Sequence, residues 1–325
     1  MVAQAEVGDR LKNLLSTLAL VLLASTTIRA DTYFVTVAGL GGEQDYQTRF
    51  DSEAADLDKI FKASGVGVHV YTLSGADAKR EKLLSTLQQV ATAAKAQDDF
   101  VLILIGHGSY DGFEYKFDLT GPDVSGEQLA EACNRIQARR QLIVNTTSAS
   151  GGSVTALQHP GRAVIAATKT GTEKNATVFA RYWVEALQDP AADLDKNESI
   201  SANEAFQYAD RKTAEFYSSQ KRLATEHPVF EDLGKGEAVR LASTENGEGR
   251  LLNAFTLIRL GSSKTAALDP AKRDLLAKKE DLESQIDILK YKKAAIAPAD
   301  YKKQMADLLL SLAKVQSQID GDAPK

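Results

Sequence analysis

A histidine and a serine each follow an apolar run of this 325-residue sequence, and both residue types suit acid–base or nucleophilic chemistry. Residues 100–105 are apolar throughout and lead into Gly-His-Gly, which presents His107 where a buried strand would end. Residues 141–147 lead into the run Ser-Ala-Ser-Gly-Gly, which begins at Ser148. An imidazole can act as a general acid or base, and a hydroxyl that it activates can act as a nucleophile.

The two runs must be neighbouring strands for that chemistry to occur. Apolar runs alternate with helical patterns through residue 190, which predicts an α/β fold with a parallel sheet covered on both faces. A final strand is predicted at 252–260. Because ligands bind outside the carboxyl ends of the strands in such sheets, we expect His107 and Ser148 to lie close together.

Backbone N–H groups beside these two residues are candidates for an oxyanion pocket. We assign this role to Gly108, Ala149 and Gly151, since glycines allow a ligand to approach the backbone closely. The residues alone leave three interpretations of the Ser148 site open. It is a binding pocket without catalysis, an unusual serine hydrolase, or a loop that binds no ligand.

The two strand ends together resemble the legumain-like branch of the caspase-type cysteine peptidases, the peptidase C13 family of clan CD. In that family the histidine of His-Gly is catalytic, and it matches His107. The resemblance covers roughly residues 31–260 and implies a three-layer α/β fold with a mostly parallel six-stranded sheet in a domain of residues 31–262. It also implies a substrate cleft for a peptide or protein ligand, lined by Arg49 from a loop and by Thr168.

The sequence departs from this family at the nucleophile. The family's cysteine stands two residues before Ser-Gly, and that position is Ser148 here. The single cysteine, Cys133, falls on the apolar stripe of a predicted helix, which indicates a core residue. A serine hydroxyl needs an oriented imidazole, and the sequence identifies no residue that would orient His107. We therefore favour a pseudopeptidase that acts as a binding or scaffold module. A hydrolase with Ser148 as nucleophile and His107 as base is the alternative.

Residues 193–204 resemble the calcium loop of an EF-hand in the spacing of their oxygen ligands. The candidate ligands are Asp193, Asp195, Asn197, Ser199 and Glu204. The alternative is a polar turn in which Ser201 caps a helix and Glu204 completes a capping box. Glu198 stands where the motif favours glycine, so we favour the turn and leave weak structural calcium binding open. No cofactor is otherwise expected.

The C-terminal residues 263–325 are predicted to form a helical hairpin of the coiled-coil type, with a turn at Pro298. Its second helix carries a heptad seam at Tyr301, Met305, Leu308, Leu312, Val315 and Ile319. Residues 268–320 either fold back on the domain or mediate self-association or pairing with a partner helix. A third interpretation of the whole chain makes this hairpin an assembly element and the globular domain its carrier.

The N-terminus is typical of an export signal. Arg10 and Lys12 precede an apolar run at 14–24, and Ala30 ends a plausible cleavage site, so residues 1–30 are predicted to be a signal peptide. The mature protein would be periplasmic or extracellular and without a stable transmembrane span. A net charge of −5 argues against a nucleic-acid partner.

Overall fold

The computed structural model describes residues 30–321, and the predicted signal peptide lies outside this range apart from its last residue. Residues from Asp31 onward belong to one compact unit. Within the described range, no helix combines the length and apolar character that crossing a membrane requires.

Eleven strands and ten helices of the described range carry the fold. The strands are β1 (Thr32–Ala38), β2 (Val68–Leu73), β3 (Asp99–Ile105), β4 (Gly108–Tyr110), β5 (Tyr115–Phe117), β6 (Val124–Ser125), β7 (Arg140–Asn145), β8 (Arg162–Ala166), β9 (Ser199–Ser201), β10 (Val229–Glu231) and β11 (Thr256–Arg259). The helices are α1 (Gln44–Lys62), α2 (Arg80–Ala93), α3 (Gly126–Asn134), α4 (Val154–Leu157), α5 (Phe179–Ala186), α6 (Ala202–Ser219), α7 (Arg250–Ala254), α8 (Gly261–Leu268), α9 (Arg273–Tyr291) and α10 (Pro298–Asp320).

The main sheet has six strands in the order β10-β8-β7-β3-β1-β2, with β10 antiparallel and the other pairs parallel. All seven residues of β3 are buried, because successive side chains alternate between two covered faces. Val101 and Ile103 pack on the side of α1, α5 and α6. Leu102 and Leu104 pack on the side of α2 and α3. The mixed α/β fold with a mostly parallel six-stranded sheet is thereby confirmed.

Cys133 lies in α3 and is fully buried in the second of these layers. Burial raises the pKa of its thiol to about 11, so the group stays protonated at neutral pH. The prediction that this cysteine is a core residue is confirmed.

The predicted strand at 252–260 is wrong in its first half. Residues Arg250–Ala254 form α7, because Asp232 accepts hydrogen bonds from the N–H groups of Gly249, Leu251 and Leu252 at the helix start. The strand β11 pairs with β9 outside the main sheet. The sixth place is taken by β10, a strand of only three residues.

A second difference from the predicted strands lies between β3 and α3, where none is predicted. Strands β4, β5 and β6 form a small antiparallel sheet there. Its first turn is stabilised by Asp111, whose carboxylate accepts the N–H groups of Phe113 and Glu114. This small sheet begins directly after His107. It forms one side of the region at the carboxyl ends of β1, β3 and β7, which we call the strand-end region.

The C-terminal helices form the predicted pair and fold back on the rest of the chain. Lys272, just before α9, donates to the carbonyl of Ile319 near the end of α10, so the two helices are antiparallel. Val315 and Ile319 of the heptad seam are buried against α8 and α9. Tyr291 at the end of α9 donates to the carbonyl of Glu248, which ties the pair to the globular part.

Candidate functional site

His107 lies where the chain leaves the central strand β3, beside the end of β1. The strand order changes direction between these two strands, and crevices at such points are where α/β sheets bind ligands. Gly106 allows the two strand ends to approach closely, since it has φ +151° and a Cβ on it would lie 3.4 Å from Gly39 Cα.

Aromatic rings from α1 surround the His107 imidazole. The ring centroids of Tyr46 and Phe50 lie 4.8 Å and 5.2 Å from that of His107, both in edge-on geometry. Partial burial lowers the pKa of His107 below its usual value, a hydrogen bond to the Gly41 backbone opposes that shift, and Arg49 adds to it. The imidazole is therefore neutral at neutral pH, the form in which it accepts a proton.

Ser148 follows β7 and its hydroxyl contacts the residue next to His107. The Ser148 Oγ donates to the carbonyl of Gly108 and accepts from the N–H of the same residue, at 3.0 Å and 3.1 Å. The side chain is buried, with 3% of the residue exposed. The structure thus brings Ser148 and the His107 segment together, and both hydrogen-bonding directions of the hydroxyl are used within the chain.

The three N–H groups assigned to an oxyanion pocket are also engaged within the chain. The N–H of Gly108 donates to Ser148 Oγ, and that of Ala149 donates to the carbonyl of Glu173 at 2.8 Å. The N–H of Gly151 donates to Thr168 Oγ1 at 2.8 Å. An oxyanion would have to displace one of these partners to be bound here.

The hydroxyls of the two threonines before Ser148 are hydrogen-bonded within the chain. Thr146 Oγ1 donates to the carbonyl of Leu104, in the neighbouring strand. Thr147 Oγ1 lies 2.6 Å from the hydroxyl of Tyr115 and 2.8 Å from Asn145 Oδ1. Sequence reasoning missed Tyr115, although an Asp-Gly turn between aromatic residues at 110 and 115 is a hairpin signal.

Thr168 and Arg49, the two predicted cleft residues, have different environments. Thr168 is fully buried and braces the loop after Ser148, since its N–H donates to Ser150 Oγ and its hydroxyl accepts from Gly151. Arg49 lies on helix α1, which begins at Gln44, and not in the predicted loop. It therefore has a rigid helical base.

The Arg49 guanidinium lies between aromatic faces and a buried carboxyl group. Its Cζ is 5.2 Å and 5.1 Å from the ring centroids of Tyr46 and Phe50, the rings that also contact His107. Its Nη2 donates to the carbonyl of Thr177, and its Nε lies 3.8 Å from Glu53 Oε1. Burial raises the pKa of Glu53 to about 7, although the charge of Arg49 acts to lower it.

A histidine–carboxylate pair that the sequence does not reveal borders the same region. His227 Nδ1 lies 2.5 Å from Glu173 Oε1, and the other oxygen of Glu173 accepts the N–H of Lys169. The backbone carbonyl of Glu173 accepts the N–H of Ala149. This pair therefore fixes the loop after β8 against the loop that carries Ser148.

The acidic loop at 193–204 lies in a separate part of the molecule, before α6. One oxygen from each of Asp193, Asp195 and Glu204 lies within 4.8 Å of the others. Asn197 Oδ1 accepts from the N–H and hydroxyl of Ser199. The predicted capping box is confirmed: Ser201 Oγ accepts the N–H of Glu204, and Glu204 accepts the N–H of Ser201.

Glu198 takes the backbone conformation that glycine favours in this loop, with φ +64°. Its side chain points out of the loop, where Oε2 accepts the hydroxyl of Ser262 and the N–H of Ser263 at the start of α8. Lys279 of α9 donates to the carbonyl of Asn197. The residue that departs from the motif thus keeps the loop conformation and joins the loop to the C-terminal helices.

Comparisons with known proteins give likenesses of structure alone. No protein-family model matches the chain, and no curated protein matches it. The chain is similar to the Drosophila initiator caspase Dronc, with a TM-score of 0.41 and 12% identity over 64% of this chain and 81% of the other. It is also similar to protein GSU0716 from Geobacter sulfurreducens, with a TM-score of 0.45 and 12% identity over 72% of this chain and 100% of the other. A caspase is therefore among its structural neighbours.

Proposed function

We propose that the chain is an exported relative of the legumain-like, caspase-type peptidases that binds a peptide or protein in the strand-end cleft without hydrolysing it. The motifs around His107 and Ser148 support the family. The sheet order supports it too, since the ends of β3 and β7 are neighbours. The apolar run at 14–24 supports export.

One observation carries the non-catalytic part of the proposal: the polar hydrogens of the site are already bonded within the chain. The Ser148 hydroxyl exchanges two hydrogen bonds with Gly108, and the N–H groups of Ala149 and Gly151 have backbone and threonine acceptors. Catalysis of acyl transfer depends on donors that are aimed at the developing oxyanion. A hydroxyl that is 3% exposed and doubly bonded is also a poor nucleophile.

A fluorophosphonate probe followed by intact-mass analysis tests this part. We expect no adduct on the parent protein, while a known serine hydrolase in the same tube is labelled fully. The Ser148→Ala variant serves as the matched control. A single adduct on the parent that is absent from the variant would establish the alternative, a hydrolase with Ser148 as nucleophile and His107 as base.

The position of Arg49 indicates which chemical group the ligand carries. Its side chain is 25% exposed, and its guanidinium lies beside the rings that contact His107. We propose that it binds a carboxylate of the ligand, because a guanidinium binds carboxylates with charge-assisted hydrogen bonds.

Fluorescent tetrapeptides ending in amidated Asp, Asn, Lys or Leu test the ligand proposal. We expect the Asp peptide to bind most tightly and Arg49→Gln to remove that preference. Arg211→Gln is the matched control, because Arg211 also lies over a tyrosine ring, 5.2 Å from the centroid of Tyr208, but on another helix. Equal binding of all four peptides by the parent would contradict the role of Arg49.

The hairpin suggests a second candidate function, assembly through α10. Leu309 and Leu310 on this helix are 50% and 57% exposed, whereas the seam residues Val315 and Ile319 face the rest of the chain. Light scattering of the parent and of a Leu309→Ser, Leu310→Ser variant tests it. A monomeric parent at micromolar concentration would exclude self-association through this face.

We also propose that loop 193–204 binds Ca²⁺ as a structural ion. The convergence of Asp193, Asp195 and Glu204 supports this, since Ca²⁺ takes carboxylate oxygens from such a loop. Loss of hydration and the neighbouring charges of Glu204 and Asp193 raise the pKa of Asp195, which is the crowding that a cation relieves. Calcium titration of the parent and of Asp195→Asn tests it, and equal affinities would contradict it.

A further inference from the structure

Asp31 is held by hydrogen bonds at the point where the compact unit begins. Its N–H donates to Asp98 Oδ1 at 2.9 Å, and its carbonyl accepts the N–H of Asp99 at 2.9 Å. Its carboxylate lies 3.1 Å from His69 Nε2. Ala30, the residue before it, is exposed. The chain therefore has a fixed position at Asp31, immediately before β1.

Asp98, which accepts the N–H of Asp31, precedes β3 and is oriented by its own hydrogen bonds. The residue is 2% exposed, and its Oδ2 accepts the N–H of Lys95 at 2.9 Å. Its carbonyl accepts the N–H of Arg139 at 2.7 Å. Because β1 and β3 are parallel neighbours, this contact lies at their amino ends, the opposite end of the strands from His107.

Asp98 is buried without a cationic side chain beside it. The next residue, Asp99, is paired with Arg139 and Arg140. Within the described part of the chain, by contrast, no ion pair involves Asp98. Burial raises the pKa of the Tyr33 hydroxyl, and the nearby charge of Asp98 adds to that shift. An opposite charge at hydrogen-bond distance would stabilise the Asp98 carboxylate.

We propose that cleavage between Ala30 and Asp31 supplies this charge, because the α-ammonium group of the new N-terminus binds the carboxylate of Asp98. The inference rests on the proposed export. Hydrolysis of the peptide bond consumes one water, releases Ala30 with a carboxylate and leaves Asp31 with a protonated amine. The nitrogen that lies 2.9 Å from Asp98 Oδ1 is the same atom before and after cleavage, so the ion pair forms in place of the existing hydrogen bond.

The ion pair distinguishes the mature chain from its precursor. In the precursor the same nitrogen is a neutral amide, and hydrogen bonds between charged partners are the stronger kind. Removal of residues 1–30 therefore strengthens the junction between β1 and the segment before β3, and the fold reaches its full stability only after cleavage. Cleavage one residue earlier would displace the ammonium group from Asp98 by about 3.8 Å.

Expression in an exporting bacterium, followed by N-terminal sequencing of the exported protein, tests the cleavage point. We expect Asp31 to be the first residue. An exported chain with another first residue would overturn this inference alone, whereas a chain that is not exported would contradict the proposed export as well.

Two proteins with chosen N-termini test the ion pair itself. One begins at Asp31, and the other carries Gly-Ser-Gly before Asp31, so that its ammonium group lies away from Asp98. We expect the first to melt at least about 2 °C higher at about pH 7. Asp98→Asn should abolish this difference, because the amide carries no charge. Asp123→Asn is the matched control and should preserve it, since Asp123 also accepts a backbone N–H, that of Leu119, but in another loop.

Two results would overturn the ion pair: equal melting temperatures of the two proteins, or a difference that persists in Asp98→Asn. If Asp98→Asn does not fold, the two N-termini are compared at about pH 10, above the usual pKa of an α-amino group, which is about 8. The stability that an ammonium group contributes is present below its pKa and lost above it, so the difference should shrink. A difference as large as that at neutral pH would overturn the proposal.

Discussion

The groups around Ser148 and the carboxylates of loop 193–204 differ in how they are arranged for a ligand. Around Ser148, hydroxyls and N–H groups are paired with one another. In loop 193–204, one oxygen from each of three carboxylates lies within 4.8 Å of the others, although each carboxylate also accepts a backbone N–H group. Converging carboxylates repel one another, and a cation relieves that repulsion. We infer that the strand-end region binds by shape and by Arg49, and that loop 193–204 binds an ion.

The largest effect should come from breaking the closed packing of the strand-end region with Gly151→Ala. A Cβ on Gly151 would lie 2.4 Å from the backbone of Lys169 and Thr170, so the two loops would have to separate. We expect a loss of about 3 kcal/mol in the free energy of unfolding, measured by urea denaturation.

Gly126→Ala is the matched control for this change. It starts α3, and its Cβ would lie at an ordinary 3.4 Å from the Cβ of Ala156. We expect it to alter stability by less than about 1 kcal/mol. Equal effects of the two substitutions would mean that the loops around Ser148 are loosely packed.

Calcium should have the next largest effect, and only on loop 193–204. At a free concentration near 100 times the dissociation constant, one bound ion adds about 2.7 kcal/mol to the free energy of unfolding. We expect thermal unfolding to show this gain in the parent and a smaller gain in Asp195→Asn. Glu215→Gln on the exposed side of α6 should behave as the parent, and no gain in the parent would contradict the proposed calcium site.

The sequence predicts those parts of the molecule that depend on local pattern. The apolar run at 100–105 could only be a strand buried on both faces, and its Gly-His-Gly ending located the sheet edge. For the same reason, the spacing within residues 193–204 predicts that the carboxylates of Asp193, Asp195 and Glu204 converge.

What the sequence could not reveal depends on pairing between distant segments. Glu231 and Glu248 are separated by sixteen residues without a motif, and only the fold brings one oxygen of each near Gly236. Likewise, the helical conformation of 250–254 depends on Asp232, which caps α7 from a distance. His227 and Glu173 form a pair for which neither residue carries a local signal.

Glu53 is a buried carboxyl group in the strand-end region. The third prediction is that it makes the stability of the protein depend on pH. Its pKa in the folded protein is about 7, above the ordinary value of 4.5, so the folded state holds a proton that the unfolded state releases. Stability therefore falls as the pH rises from about 5 to about 8. We expect Glu53→Gln to reduce this fall by about 2 kcal/mol, measured by urea denaturation at both pH values.

The exposed Asp45 on the same helix provides the control for Glu53. Asp45→Asn should leave the difference between the two pH values as it is in the parent. A parent and a Glu53→Gln variant with the same pH dependence would show that Glu53 is ionised in the folded state, held by Arg49. The strand-end region would then hold a buried ion pair, which we do not infer.

The smallest effect on stability should come from Ser148→Ala. This substitution tests most directly whether the strand-end region is closed on itself. The substitution removes two hydrogen bonds to Gly108, and the N–H and carbonyl of that residue lose their partner. We expect a loss of about 1 kcal/mol in urea denaturation, with the same stability change at pH 5 and pH 8. A hydroxyl kept for catalysis would behave otherwise, since replacing an active nucleophile commonly leaves stability unchanged or raises it. A stabilised Ser148→Ala protein would therefore mean that the strand-end region is not closed on itself and is held ready for a substrate.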